Sequence, residues 1–146
     1  MVGPVKEILI MTEQDKQLLV KDLCMRLPYN PYIFIEEDAE KTLLTSVEVD
    51  KDEITIIWHD GIPYSIETIK PYLRSMSSMT EDEERQYRKT QDKISIQWDD
   101  CGQSIGYVYV NTIKTYDWLN KNHFDYRNLI KKSLAIIAPE GMYKIQ

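Results

Sequence analysis

Apolar residues recur every four positions along the first well-patterned segment. Leu19, Leu23 and Leu27, flanked by Val20 and Cys24, form one stripe, which predicts an amphipathic helix. Thr12 is its N-cap, Glu13 and Asp15 occupy the first turn, where the helix dipole favours acids, and Pro28 ends it. Residues 1–10 read as an extension or a short added strand, with Met11 as an alternative start.

The period then changes from about four to two. "YIFIEE", "TLLTSVEV" and "EITIIWH" alternate, with Ile33 and Ile35, then Leu43, Thr45, Val47 and Val49, then Ile54, Ile56 and Trp58 each on one face. The turn-like joints "EDAEK", "DKDE" and "HDGIP" predict a three-stranded antiparallel meander. In "IKPYLRSMSSMTEDEE", Pro71 pushes Lys70 out of the helical region, so "PYLR" reads as a docked turn with Leu73 and Met76 facing the core. Thr80 followed by Glu83 is a capping box that opens a largely solvated helix, supported by Glu81–Arg85 and Glu84–Arg88 pairs. "KISIQW" and "IGYVYV" alternate as a hairpin. Thr112 or Thr115 caps a helix presenting Ile113, Tyr116 and Leu119, and Asp125 caps a second one with Tyr126, Leu129 and Ile130 inward. The expected fold is one α+β domain over residues 1–146: an antiparallel sheet of meander plus hairpin, packed by an N-terminal helix and two C-terminal helices.

Composition fits this reading, with 42% apolar and 29% charged residues. Ten tyrosines against two phenylalanines suit half-buried sheet faces. Cys24 and Cys101 have no local spacing for zinc or for a disulfide framework, and read as free thiols in a reducing, cytoplasmic setting. The net charge of −6 is uneven: Pro31 to Ile69 carries ten acids and two lysines, Thr112 to Gln146 six bases and three acids. An acidic chain of this kind lacks the broad basic face of the usual nucleic-acid binder, although the C-terminal bases leave room for a small one.

Catalytic patterns are sparse. His59 and His123 stand at a turn and at a helix break; Asp99 and Asp100 are adjacent and would point to opposite sides of a strand; Ser77, Ser78 and Ser104 have no base beside them. "DKDE" lacks the glycine and the late glutamate of a calcium loop. The expectation is therefore a protein that is not an enzyme, with no cofactor or metal. Its candidate contact residues are Glu36, Glu37 and Asp38 in the acidic joint, Trp118 off the Ile113–Tyr116 face, and Arg74, whose guanidinium either fixes the loop by bonding its carbonyls or meets an anion.

"KDLCMRLPYN", "IKPYLRSMSSMTEDE" and "DWLNKNHFDYRNLIKKSLAIIAPEGMY" resemble a family of small proteins of Bacteroidales genomes and their phages, which has no assigned activity. Related sequences often carry glycine where Asn30 stands, a mild change because asparagine tolerates the left-handed conformation. The resemblance implies a mobile-element setting. Together these features predict a small interaction protein that binds another protein through an acidic sheet face, in its boldest form an inhibitor of a host defence nuclease. The alternative is a nucleic-acid accessory protein using the basic C-terminal helices.

Overall fold

The structure is a computed structural model that describes residues 11–52, 54–97 and 105–143. The fold is α+β. Helix α1 (Glu13–Arg26) starts as its sequence predicts, with the Thr12 side chain accepting from the Asp15 amide. Leu19 and Leu23 are fully buried, but the inward face continues through Asp22 and Arg26, and Cys24 is exposed. After Pro28, Asn30 adopts φ +45°, which glycine or asparagine tolerates best.

Strands β1 (Tyr32–Ile35) and β2 (Glu40–Leu43) form a hairpin, and Ile33 and Ile35 point into the core. The third strand of the expected meander does not join them. β3 (Glu48–Val49), β4 (Thr55–His59) and β5 (Ile62–Ser65) make a separate antiparallel sheet. There the alternation is in the opposite phase: Thr55 and Ile57 are buried, while Ile54 is exposed and Ile56 and Trp58 are half-buried. In β2, Leu43 is exposed and Leu44, just past the strand, is buried. A run apolar on both faces does not reveal its phase. Asp60 and Gly61, both at positive φ, turn β4 into β5.

The larger correction concerns the stretch around Pro71. Ile69–Ser75 is strand β6, the centre of the main sheet, and not a docked turn. It changes partners across Pro71. Ile69–Pro71 runs antiparallel to β1; Tyr72 and Leu73 run parallel to β10 (Ile136–Ile137); Arg74 and Ser75 run parallel to β9 (Phe124–Asp125). Leu73 is buried as expected and Met76 half-buried.

Helix α2 (Glu81–Thr90) carries both bonds of the Thr80–Glu83 capping box. The expected Glu81–Arg85 and Glu84–Arg88 pairs give way to Arg85 and Gln86 on Asp82, with Arg88 over the Tyr109 ring. β7 (Asp92–Gln97) and β8 (Ile105–Val110) form the predicted hairpin, a ribbon that pairs with no other described strand. Helix α3 (Ile113–Lys121) follows, capped by Thr112.

The second C-terminal helix does not form. The Asp125 carboxylate does accept the Leu129 and Ile130 amides, but Asn128 and Ser133 take positive φ and the segment closes into turns. The main core lies between α1 and the sheets, with Leu19, Leu23, Ile33, Ile35, Ile57 and Leu73 at its centre. No helix among the described residues is long and apolar enough to cross a membrane.

Candidate functional site

Arg74 leaves β6 toward α2, where both terminal nitrogens donate to the Glu83 carboxylate at 2.7 Å. Its guanidinium lies 4.2 Å over the Phe124 ring. Its partner is thus a carboxylate, where loop carbonyls or an outside anion had been the expectations. The Arg74 hydrogen bonds hold the Glu83 carboxyl below the ordinary carboxylate range; burial opposes them, and the Thr80 amide assists.

Trp118 is not the exposed contact residue expected. It is half-buried, stacked on Phe124 at 5.6 Å and tilted on Tyr87 at 5.9 Å, and its indole N–H donates to Gln86. It pins α3 to α2. The face expected inward, Ile113 and Tyr116, is instead exposed, and Thr115 and Leu119 are buried in its place.

The basic C-terminal residues are also largely committed. Arg127 donates to Asp22 at 2.9 Å and to the Tyr126 hydroxyl, and Tyr126 donates to Asn120. Asp22 holds Arg26 as well, at 2.8 Å, and Arg26 reaches the Phe124 carbonyl at 2.6 Å. This network clamps α1 onto the segment after α3 and commits the Arg127 guanidinium to Asp22, although Tyr126 and Arg127 still border a surface groove with Lys21 and Asp117. The sequence offered one missed signal: Asp22 and Arg26 share the helical face of Leu19 and Leu23.

Glu36, Glu37 and Asp38 sit in the β1–β2 turn, at the end of the strands, so the acids cap a sheet end and do not cover a sheet face. The Glu36 amide donates to Thr68, and Tyr64 donates to Asp38, which fixes the turn. Glu36 and Glu37 are exposed, and no ion pair among the described residues neutralises them.

The two histidines have separate surroundings. His59 lies against Thr42 and Asp60. His123, at φ +62°, stacks 3.7 Å over Tyr143 and borders a cavity of about 310 Å³ with Arg74 and Lys121. Burial first, then the Arg26 and Arg74 charges, lower its pKa to about 4, so its ring is neutral near pH 7. The Tyr143 hydroxyl bridges two strands, accepting from the Tyr32 amide and donating to the Tyr72 carbonyl. His123 Nδ1 and Arg26 Nη1 are buried without a partner.

The most unusual surface is apolar. Register places Ile94, Ile96, Val108 and Val110 on one side of the β7–β8 ribbon, with Asp92 opposite Val110 at its foot, and Lys93, Tyr107 and Tyr109 on the other. The tyrosine side faces α2: Arg88 covers Tyr109 and Lys93 covers Tyr107. The ribbon base is tied to α2 through Asn111, which accepts from Gln91 and Tyr87, and through Thr112, which donates to the Thr90 carbonyl. The aliphatic side therefore turns away from α2. On α3, Trp118 faces α2, and Ile113 and Tyr116 lie on the other side. There they line a groove of about 460 Å³ with Met25 and Tyr126. Only Asn111 and Thr112 separate Val110 from Ile113, so the foot of the ribbon adjoins the groove, and the two make up an apolar strip interrupted by Asp92. Alternation of the hairpin was visible in the sequence; that its aliphatic side stays exposed among the described residues was not.

Comparison with family models, with curated proteins and with solved structures gives no match. The geometry alone carries the functional argument.

Proposed function

We propose that the protein works by docking onto another protein surface through the apolar strip of ribbon and groove, and that it is not an enzyme. The supporting observation is the bare aliphatic side of the ribbon. Ile94, Val108 and Val110 are all 40% exposed or more, on a two-stranded element that is marginal in water without cover. Ile113, 83% exposed at the ribbon's foot, extends that surface onto the helices. The partner offers a complementary apolar patch.

The test is affinity capture with the full chain as bait, beside a Val108→Lys bait whose melting temperature matches. The expected result is a captured protein that the Val108→Lys bait loses and a Glu36→Lys/Glu37→Lys bait retains. Identical capture by wild-type and Val108→Lys baits overturns the reading.

A second reading rests on the exposed carboxylates of Glu36 and Glu37, which no described residue pairs, on a turn fixed by Tyr64. There the acidic end binds a basic protein, such as a nuclease that meets carboxylates where it expects phosphates. It predicts the opposite pattern, with capture lost on Glu36→Lys/Glu37→Lys alone.

A further inference from the structure

We infer that the occupant of the apolar strip is a second copy of this chain, giving a two-fold dimer in which each ribbon lies against its partner's strip. The inference rests on reading the strip as a binding surface, and it adds the identity of what binds.

Surface area is the first argument. The exposed fractions are 48% for Ile94, 40% for Val108 and Val110, 83% for Ile113, 40% for Tyr116 and 45% for Met25. These six side chains expose roughly 600 Å² per copy, so a symmetric pair removes about 1,200 Å², where specific interfaces begin. The ribbon faces alone would remove only about 500 Å² as a pair, well short of that range. The groove residues bring the strip to the size a stable dimer needs, and a second copy supplies ribbon and groove together.

Charge is the second argument. The rim of the groove carries Lys21, Asp117 and Arg127, the last already paired with Asp22, so both signs border its apolar floor. A mixed-sign rim complements itself when the surface meets its own copy about a two-fold axis. A partner of one charge sign would meet attraction at some of these residues and repulsion at others. The acidic turn at Glu36–Asp38 lies on the β1–β2 hairpin and takes no part in the strip, so the chain's main concentration of negative charge does not oppose pairing.

The third argument is the ribbon itself. It has two free edges and no third strand among the described residues, an arrangement natural proteins usually cover.

Sedimentation equilibrium of the purified full chain tests the inference. The expected result is a mass twice the 17.3 kDa of the chain at micromolar concentration. Val108→Lys and Ile113→Lys, each at a fully exposed or half-exposed position, should raise the dimer dissociation constant at least tenfold with melting and far-ultraviolet dichroism of the monomer intact. A charge-swap pair supplies a control independent of packing: Lys21→Glu should weaken the dimer and added Asp117→Lys restore it. A wild-type chain that stays monomeric overturns the dimer. If Val108→Lys still abolishes capture of another protein, the docking reading survives that result; if it changes nothing, both fall. A dimer indifferent to Val108→Lys and Ile113→Lys places self-association elsewhere and likewise overturns the inference.

Discussion

Replacing Glu83 by glutamine should show how much the Arg74 clamp contributes. Glu83 is 2% exposed and Arg74 15% exposed, and they share two hydrogen bonds of 2.7 Å. The Glu83 carboxylate also accepts the Thr80 amide at 3.1 Å, closing the α2 capping box. Glutamine has the same shape, so packing is preserved. It can still accept with its amide oxygen, but its NH2 group faces an Arg74 N–H, so one bond is lost and the guanidinium is left without its counter-charge over Phe124. Breaking a fully buried pair costs about 3–5 kcal/mol, and the partial exposure of Arg74 brings the expected loss to about 2–4 kcal/mol. For a domain of this size that is a drop of roughly 5–15 °C in melting temperature.

Acid separates this cause from a packing defect. The folded Glu83 pKa lies below its ordinary 4.5. The stabilisation is therefore complete above 4.5 and is lost as pH falls through the folded value. Circular-dichroism melts of both proteins should differ fully at neutrality and converge in acid. A difference under about 2 °C at neutrality would refute the reasoning, because it would price the clamp like an exposed pair. So would a gap unchanged by acid, which would mean that the charge was not what the substitution removed. Arg74→Lys, which keeps the charge and loses the fork, should fall between wild type and Glu83→Gln.

Two further outcomes follow from the C-terminal end of the chain. Tyr143→Phe removes the hydroxyl between the Tyr32 amide and the Tyr72 carbonyl; it should cost about 1–3 kcal/mol, and hydrogen exchange at Tyr32 should quicken while exchange at Leu23 tracks global stability. His123 should titrate near pH 4 by NMR. Because that value is depressed below the unfolded 6.5, its neutral form's contribution to stability is full above 6.5 and declines between 6.5 and 4, so a ring that titrates near 6.5 in the native state would contradict its burial.

Helix starts were legible because capping chemistry is local: Thr12, Thr80 and Thr112 each bond within three residues. The β7–β8 hairpin was legible because its alternation is clean and its partner is next in sequence. β6 was hidden by Pro71, since a proline argues against a central strand. It is admitted because the strand changes partners there, which only the tertiary fold reveals. The missing helix after Asp125 shows the converse: a well-placed cap still yields to left-handed Asn128. Of the candidate contact residues, the acidic turn is displayed as a surface, while Arg74 and Trp118 are absorbed into the α2–α3 packing. The exposed strip escaped notice because periodicity reveals which residues share a face, and says nothing about whether anything covers it.

Strand β6 also sets an order of events in folding. Its pairing with β1 becomes available once the chain has passed Pro71, but the far end of that edge is completed only by Phe124 and its other edge by Ile136, both far along the sequence. A nascent chain thus holds its central strand half-paired while α2, the ribbon and α3 emerge. The closing contacts span long loops, so they form late and slowly compared with the local hairpins. During that interval the open edge of β6 and the uncovered ribbon present unpaired strand edges together, which makes early dilution, or early capture of the ribbon, the condition for clean refolding.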